Sequence, residues 1–191
     1  IAAHPGIDKV AFVGSTAVGR QIVQASAGNL KRLTLELGGK SPNIIFPDAD
    51  IAKAVQVAVR SICFNSGQHC AAGTRLLVHR SLHQDVAQEV ARLAATYKVG
   101  SPFAPDTKLG PLISSTQLDR VLSYIDAGRI AGAELEFGGA RVGSVGYFIQ
   151  PTIFSGVSNE MKIAREEIFG PVLSIIPFED EADAVSKGND T

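Results

Sequence analysis

Cysteine is scarce in this chain, with only Cys63 and Cys70 among 191 residues. Two cysteines cannot form the disulfide framework of a secreted scaffold, so a reducing, cytoplasmic location is expected. Their spacing matches no zinc motif, and the four histidines show no pairing at metal-ligand spacing. The scarcity therefore excludes a disulfide-stabilised class of protein and predicts no metal site.

An excess of charge of one sign is also absent. The net charge is −1 and the basic residues are scattered, which gives no electrostatic reason to bind nucleic acid or an anionic membrane. The longest apolar runs, such as residues 172–176, are too short to cross a bilayer. The first residues show no secretory signal and no initiator methionine. We expect a piece of a longer protein that is inactive alone.

Strand-like and helix-like segments alternate along the chain, which predicts an α/β fold with a largely parallel sheet. A strand at residues 10–13 turns into a helix that ends near Gly28. Residues 32–37 alternate as a second strand. The clearest amphipathic helix covers residues 51–62, after Asp48 or Asp50 as cap. Ser81 and Gln84 resemble a capping box that opens a helix running to about Tyr97. Further strands are expected near residues 43–46, 74–79, 133–137, 148–154 and 172–178, and further helices near 115–128 and from 179.

Cys70 is the candidate nucleophile. Gly67 and Gly73 bracket it, which indicates a tight loop, and loops held by a rigid sheet often carry reactive groups. General burial statistics favour a buried structural cysteine instead. Cys63 follows Ile62 on the amphipathic helix, and core packing explains it. A Cys–His hydrolase using the neighbouring His69 is disfavoured, because sequence neighbours seldom have the required geometry.

Glu36 is a candidate base because it lies at the carboxyl end of its strand, just before two glycines. Ligands of open α/β sheets bind beyond such strand ends. A glutamate on a solvated face is the alternative interpretation.

The turn at residues 14–19 follows a strand and opens a helix. Backbone N–H groups at such a helix terminus can hold a pyrophosphate. Only two glycines are present, so the segment is not the dinucleotide fingerprint, and an ordinary strand–helix turn explains it equally well.

Four ordered motifs together resemble the aldehyde dehydrogenase superfamily. Residues 35–42 (LELGGKSP) resemble its glutamate motif, and residues 67–70 (GQHC) resemble its cysteine motif. Residues 12–19 (FVGSTAVG) resemble its coenzyme-binding turn, and residues 166–172 (EEIFGPV) resemble a downstream coenzyme segment. Cys63 departs from the pattern, because an aromatic or aliphatic residue is usual there.

The resemblance implies a Rossmann-like catalytic domain with a mostly parallel sheet. Residues 1–38 would be the end of a coenzyme-binding domain, and residues 39–191 would be a truncated catalytic domain. The longer enzyme would be a homo-oligomer, a dimer or a tetramer. It would act on a small-molecule aldehyde with NAD or NADP as cofactor.

The implied reaction oxidises the aldehyde to a carboxylic acid. Cys70 would attack the aldehyde, a thioester would follow, and Glu36 would activate the hydrolytic water. The residues implied to bind the cofactor are Gly14, Ser15, Thr16, Gly19, Leu37, Glu167 and Phe169. Without the motif, Glu167 would be interpreted as solvated and Phe169 as core.

Two alternatives stay open. A CoA-acylating aldehyde dehydrogenase passes the acyl group to a thiol, although Glu36 favours transfer to water. A catalytically silent structural or interaction module is the alternative from another class. The identity of the aldehyde and the choice between NAD and NADP are not encoded in these motifs.

Overall fold

The computed structural model describes all 191 residues and divides into two compact units, Ile1–Gly39 and Lys40–Thr191. The first unit is a β–α–β arrangement of strand β1 (Lys9–Val13), helix α1 (Thr16–Ala25) and strand β2 (Arg32–Glu36). The two strands pair in parallel, so Val13 lies opposite Glu36 at their carboxyl ends. No helix of the chain is long and apolar enough to span a membrane.

Helix α1 ends earlier than the sequence predicted. The Ser26 hydroxyl donates a 2.7 Å hydrogen bond to the Ile22 carbonyl, and a short 3-10 turn, Ala27–Asn29, follows. Leu30 then adopts a left-handed backbone conformation with φ 54°. The helix therefore stops at Ala25, short of Gly28, because local side-chain bonding and the left-handed residue turn the chain toward β2.

The second unit contains a five-stranded sheet with the order β3-β4-β7-β6-β5. Only the pairing of β5 with β6 is antiparallel. The mostly parallel sheet predicted from the sequence is confirmed. The elements in chain order are β3 (Pro42–Ile45), α2 (Ile51–Cys63), β4 (Arg75–His79), α3 (His83–Ala94), α4 (Ser115–Ile130), β5 (Glu134–Phe137), β6 (Thr152–Ser155), α5 (Lys162–Arg165), β7 (Val172–Phe178) and α6 (Glu181–Asn189).

The central strands are buried on both faces, which is why they consist of nearly continuous apolar residues. Successive side chains alternate between the faces. Leu77 and Ile176 belong to a core cluster with Val121 of α4. Leu76 and Ile175 belong to a second cluster, which takes in α2 and α3. Helices therefore cover both faces, as in doubly wound α/β folds.

The helix starts test two sequence predictions. Asp50 caps α2 by accepting a hydrogen bond from the Lys53 N–H at 3.1 Å, as expected. The capping box at Ser81 is wrong. Ser81 lies in a 3-10 turn, Arg80–Leu82, and its hydroxyl is 2.8 Å from His79 Nδ1. Because the imidazole engages the hydroxyl, α3 begins at His83 without a side-chain cap, and it ends at Ala94, short of Tyr97.

Arg75 is a fully buried cation at the start of β4. Its guanidinium donates to the Lys40 carbonyl at 2.8 Å and to the carbonyls of Lys187 and Gly188 at 2.8 and 2.7 Å. Carbonyls at a helix C-terminus carry partial negative charge, so they stabilise a buried cation. Arg75 therefore connects the last turn of α6 to the beginning of the second unit through hydrogen bonds.

Candidate active site

The structure separates the two cysteines sharply. Cys63 lies in the last turn of α2 with 3% of its surface exposed, and burial raises the pKa of its thiol to about 12. Such a thiol stays protonated at neutral pH and is a poor nucleophile. Cys70 lies in the loop between α2 and β4 and is exposed to solvent. Cys63 is therefore buried in a helix and Cys70 lies in a loop, as the sequence predicted.

Hydrogen bonds on both sides of Cys70 fix the backbone of its loop. The Gly73 N–H donates to the Ser61 hydroxyl at 2.7 Å, and His69 Nε2 lies 3.0 Å from the Ser61 carbonyl. The Ser66 hydroxyl donates to the Gly110 carbonyl at 3.0 Å. Since one ring nitrogen of His69 already serves the backbone, the imidazole has a structural role, which disfavours the Cys–His hydrolase interpretation.

The loop also packs directly against the segment that holds Glu167 and Phe169. Gly67 has φ 71°, and a Cβ placed on it would lie 2.3 Å from the Gly170 carbonyl carbon. Only glycine permits so close an approach of two backbones. Segments 67–70 and 166–172 are therefore neighbours in space.

Phe169 presents its ring at the surface beside this contact. It has a left-handed backbone conformation with φ 61°, and 37% of its surface is exposed. With Asn65, Gln68 and Tyr147 it lines an open cavity. The prediction of a buried core phenylalanine, which the sequence without its motif would give, does not hold.

In the first unit, the predicted turn and the candidate base meet at the carboxyl ends of β1 and β2. The Gly14 N–H donates to the Glu36 carbonyl at 3.1 Å. Ser15 caps α1 by accepting from the Val18 N–H at 3.3 Å. A Cβ on Gly19 would lie 2.7 Å from the Leu37 side chain. Gly19 thus lets α1 lie close to the Leu37 side chain at the end of β2.

The start of α1 is electrostatically suited to an anion. Thr16 opens the helix, and its first turn holds no acidic side chain. The positive end of the helix dipole is therefore not neutralised.

The Glu36 side chain is exposed and accepts no hydrogen bond within the chain.

Sequence reasoning missed Lys40. Its side chain is 4% exposed, and its Nζ has no hydrogen-bond partner. Burial lowers the pKa of Lys40 to about 7; the charge on Arg75 lowers it as well, whereas Glu167 raises it. Lysines are almost never fully buried, so the residue type gave no indication that Lys40 is buried. The only indication in the sequence was the position of Lys40 within the glutamate motif.

Gln117 and Arg120 of α4 were also missed. Both donate hydrogen bonds to backbone carbonyls of segment 167–169. Their partners lie far along the chain, and a polar residue on an amphipathic helix carries no mark of such a contact. These contacts are visible only in the three-dimensional structure.

Comparison with known proteins gives a consistent result. The model of the aldehyde dehydrogenase family matches residues 1–191. An aldehyde dehydrogenase of Emericella nidulans is 54% identical over 192 residues, covering 100% of this chain and 39% of the relative. Retinal dehydrogenase 2 of Taeniopygia guttata is 48% identical, covering 100% of this chain and 37% of the relative.

The solved structures that this chain resembles are aldehyde dehydrogenases as well. The NAD⁺ complex of aldehyde dehydrogenase from Bacillus cereus has a TM-score of 0.96 and 44% identity, covering 100% of this chain and 39% of that one. A mutant of aldehyde dehydrogenase C from Pseudomonas syringae, in complex with NAD⁺ and octanal, has a TM-score of 0.96 and 46% identity, covering 100% and 40%. The chain thus spans about 39% of the length of such relatives. It belongs to the aldehyde dehydrogenase family.

Proposed function

We propose that this chain is the nucleophile-bearing part of an enzyme that oxidises an aldehyde to a carboxylic acid with NAD or NADP. One observation carries the proposal: the exposed Cys70 stands in a fixed loop that packs against the segment of Glu167 and Phe169. Membership of the aldehyde dehydrogenase family supports it. So do the complexes of two solved relatives with NAD⁺, one of them also with octanal.

The residues present fit a dinucleotide. In the first unit, the start of α1 at Ser15 and Thr16, free of acidic side chains, would receive the phosphates. Gly14, Gly19 and Leu37 would shape that turn. In the second unit, the Glu167 carboxylate would accept hydrogen bonds from ribose hydroxyls, and the exposed Phe169 ring would pack beside the nicotinamide. When bound, the coenzyme supplies the hydride acceptor of the reaction.

Cys70 would supply the nucleophile. Its thiolate attacks the carbonyl carbon of the aldehyde, and the carbonyl oxygen becomes an oxyanion in a thiohemiacetal. The Cys70 backbone N–H donates to no other backbone group, so it is available to stabilise that oxyanion. Loss of hydride from the carbon leaves a thioester on Cys70.

Glu36 would act in the second half of the reaction. As a general base it takes a proton from water while the water oxygen attacks the thioester carbon. The Cys70 thiolate then leaves, and the carboxylic acid is released. The hydrogen bond from the Gly14 N–H holds the end of β2, and the exposed carboxylate has no partner that would compete for its lone pairs.

The test uses the full-length enzyme that contains this chain. With NAD⁺ or NADP⁺ and a series of aldehydes, NADH or NADPH absorbance should rise in the wild type. Cys70→Ser should lower kcat/KM at least about a thousandfold, because the hydroxyl is a far weaker nucleophile. Cys63→Ser is the matched control and should remain active. Absence of turnover in the wild type would instead support a silent module, and a requirement for a thiol acceptor would support acyl transfer to CoA.

A further inference from the structure

Three consecutive residues shortly before Cys70 have a left-handed backbone. Asn65 has φ 49° and ψ 32°, Ser66 has φ 55° and ψ 34°, and Gly67 has φ 71°. This conformation crowds the Cβ of an L-residue against the backbone, so glycine adopts it freely and asparagine tolerates it, whereas serine does not favour it. It persists only where the surroundings impose it. Ser66 is therefore the residue at which this turn, turn 65–67, depends most on outside contacts.

Two side chains connect turn 65–67 to a distant part of the chain, residues 110–113. The Ser66 hydroxyl is buried and donates to the Gly110 carbonyl at 3.0 Å. Gln68 Oε1 accepts a hydrogen bond from the Ile113 N–H at 2.9 Å. Both partners are backbone groups, which lie 44 and 45 residues further along the chain. The two contacts flank Gly67 and hold the turn against segment 110–113.

Other hydrogen bonds close the turn on itself. Asn65 Nδ2 donates to the Gln68 carbonyl at 2.9 Å, and the Gln68 N–H donates to the Asn65 carbonyl at 3.1 Å. These bonds stay within residues 65–68, so they determine the shape of the turn and not its place in the molecule. The place is determined by the contacts of Ser66 and Gln68 with segment 110–113.

The direction of Cys70 depends on this turn because only His69 separates Cys70 from Gln68. His69 Nε2 lies 3.0 Å from the Ser61 carbonyl, which fixes the loop on the side of α2. A shift of turn 65–67 would therefore rotate the backbone that carries the Cys70 thiol and N–H. A reacting group that is misplaced by about 1 Å can lose roughly a hundredfold in rate.

We propose that Ser66 and Gln68 are positioning residues, which hold turn 65–67 against segment 110–113 and so direct the Cys70 thiol and backbone N–H toward the aldehyde. The inference rests on the role of nucleophile proposed above for Cys70. Each of the two side chains binds the backbone of segment 110–113, so it acts through the loop and not on the aldehyde itself.

Variants of the full-length enzyme test the inference. Gln68→Met keeps the length of the side chain and removes the acceptor. Ser66→Ala removes the hydroxyl and keeps the unfavourable Cβ, whereas Ser66→Gly removes both. Gln84→Met and Ser144→Ala, at exposed positions, are the matched controls. The coenzyme dissociation constant, the single-turnover rate of hydride transfer and the rate of Cys70 alkylation by iodoacetamide, at a pH where the thiol is ionised, are measured for each variant.

We expect Gln68→Met and Ser66→Ala each to slow hydride transfer about tenfold or more, because the thiol is turned away from the aldehyde. Coenzyme binding and alkylation should stay within about threefold of the wild-type values, since neither requires an oriented carbonyl group. Partial unfolding would instead weaken coenzyme binding and change alkylation together. Ser66→Gly should return hydride transfer to within about threefold of the wild-type rate, because glycine adopts the left-handed conformation without the hydrogen bond.

The two ways of failing are distinct. If Cys70→Ser keeps the wild-type rate of hydride transfer, the proposed nucleophile is wrong and the positioning role falls with it. If Cys70→Ser abolishes hydride transfer while Ser66→Ala or Gln68→Met keeps the wild-type rate, the positioning inference alone is overturned. The same holds if Ser66→Gly is as slow as Ser66→Ala. If Ser66→Ala does not fold, the comparison of Gln68→Met with Gln84→Met decides the question.

Discussion

At the scale of single residues, the two thiols occupy opposite environments. Cys70 is exposed, whereas Cys63 is buried and its pKa is raised to about 12. Alkylation needs an accessible thiolate, so a limiting amount of iodoacetamide should modify Cys70 at least about tenfold faster in the folded chain. Peptide mass measured over a time course gives both rates. Faster modification of Cys63 would contradict the assignment, and labelling in urea, where both thiols are exposed, should equalise them.

Lys40 predicts an unusual dependence of stability on pH. Its pKa falls from 10.5 in the unfolded chain to about 7 in the folded one. Between these values the unfolded state binds the proton that the folded state has released, so the free energy of unfolding rises with pH. Below pH 7 the full destabilisation by the buried ammonium is present. Lys40→Met removes it, so the stability advantage of this variant should shrink by about 2 kcal/mol between pH 7 and 9.

Urea unfolding of the chain and its variants at pH 7, 8 and 9 measures this difference. Lys53→Met, on the exposed side of α2, is the matched control and should run parallel to the wild type at every pH. If the free energy of unfolding changes with pH in the same way for Lys40→Met and for the wild type, the Lys40 ammonium is solvated in the folded chain.

Some features of these residues could be predicted from the sequence and others could not. The contrast between Cys63 and Cys70 could be predicted, because it depends on a local helical stripe and a local pair of glycines. Lys40 could not, since its burial depends on the packing of segments distant in the chain. The same holds for Gln117 and Arg120, whose partners are backbone carbonyls without any sequence signature.

At the scale of elements, the contact between the Cys70 loop and segment 166–172 depends on one glycine. An alanine at Gly67 would be strained at φ 71° and would meet the Gly170 backbone at 2.3 Å. Gly143 has nearly the same φ, 69°, with nothing within 4 Å of an added Cβ. Gly143→Ala should therefore cost about 1 kcal/mol, from the conformation alone. Gly67→Ala should cost about 3 kcal/mol or more, because backbone cannot move aside as a side chain can.

Urea unfolding compares the two variants, and the rate of iodoacetamide labelling at Cys70 reports whether the loop has moved. Equal losses of stability in Gly67→Ala and Gly143→Ala would mean that the loop does not pack on the Gly170 backbone.

Periodicity predicted the order and type of the elements except the four-residue helix α5, whereas it did not predict the end of α1 or the start of α3. The central strands were recognisable because burial on both faces requires apolar residues throughout. The start of α3 was wrong because Ser81 bonds to the His79 ring, a competing local contact that the motif does not reveal. Arg75 was not singled out either, because its partners at the end of α6 lie more than a hundred residues away in the chain.

At the scale of the whole molecule, the chain contains two units with different proposed duties. The first, Ile1–Gly39, would contribute the phosphate-binding turn and the base Glu36, and the second, Lys40–Thr191, would contribute the nucleophile and the ribose contact. Their assignment to a coenzyme-binding and a catalytic domain remains a prediction, with a boundary close to the one expected at residue 38. The chain spans about 39% of the length of its relatives, so the proposed activity is tested on a full-length enzyme.

In the proposed reaction the aldehyde carbon becomes covalently attached to Cys70 and is released by water that Glu36 activates. Glu36→Gln keeps the size of the side chain and removes the base. The full-length variant is mixed with coenzyme and aldehyde, quenched in acid after one turnover, and digested for peptide mass. We predict that the acyl group accumulates on the Cys70 peptide to about one per active site, with the first turnover of NADH retained. An unmodified Cys70, or loss of the first turnover in proportion to the steady-state rate, would contradict it.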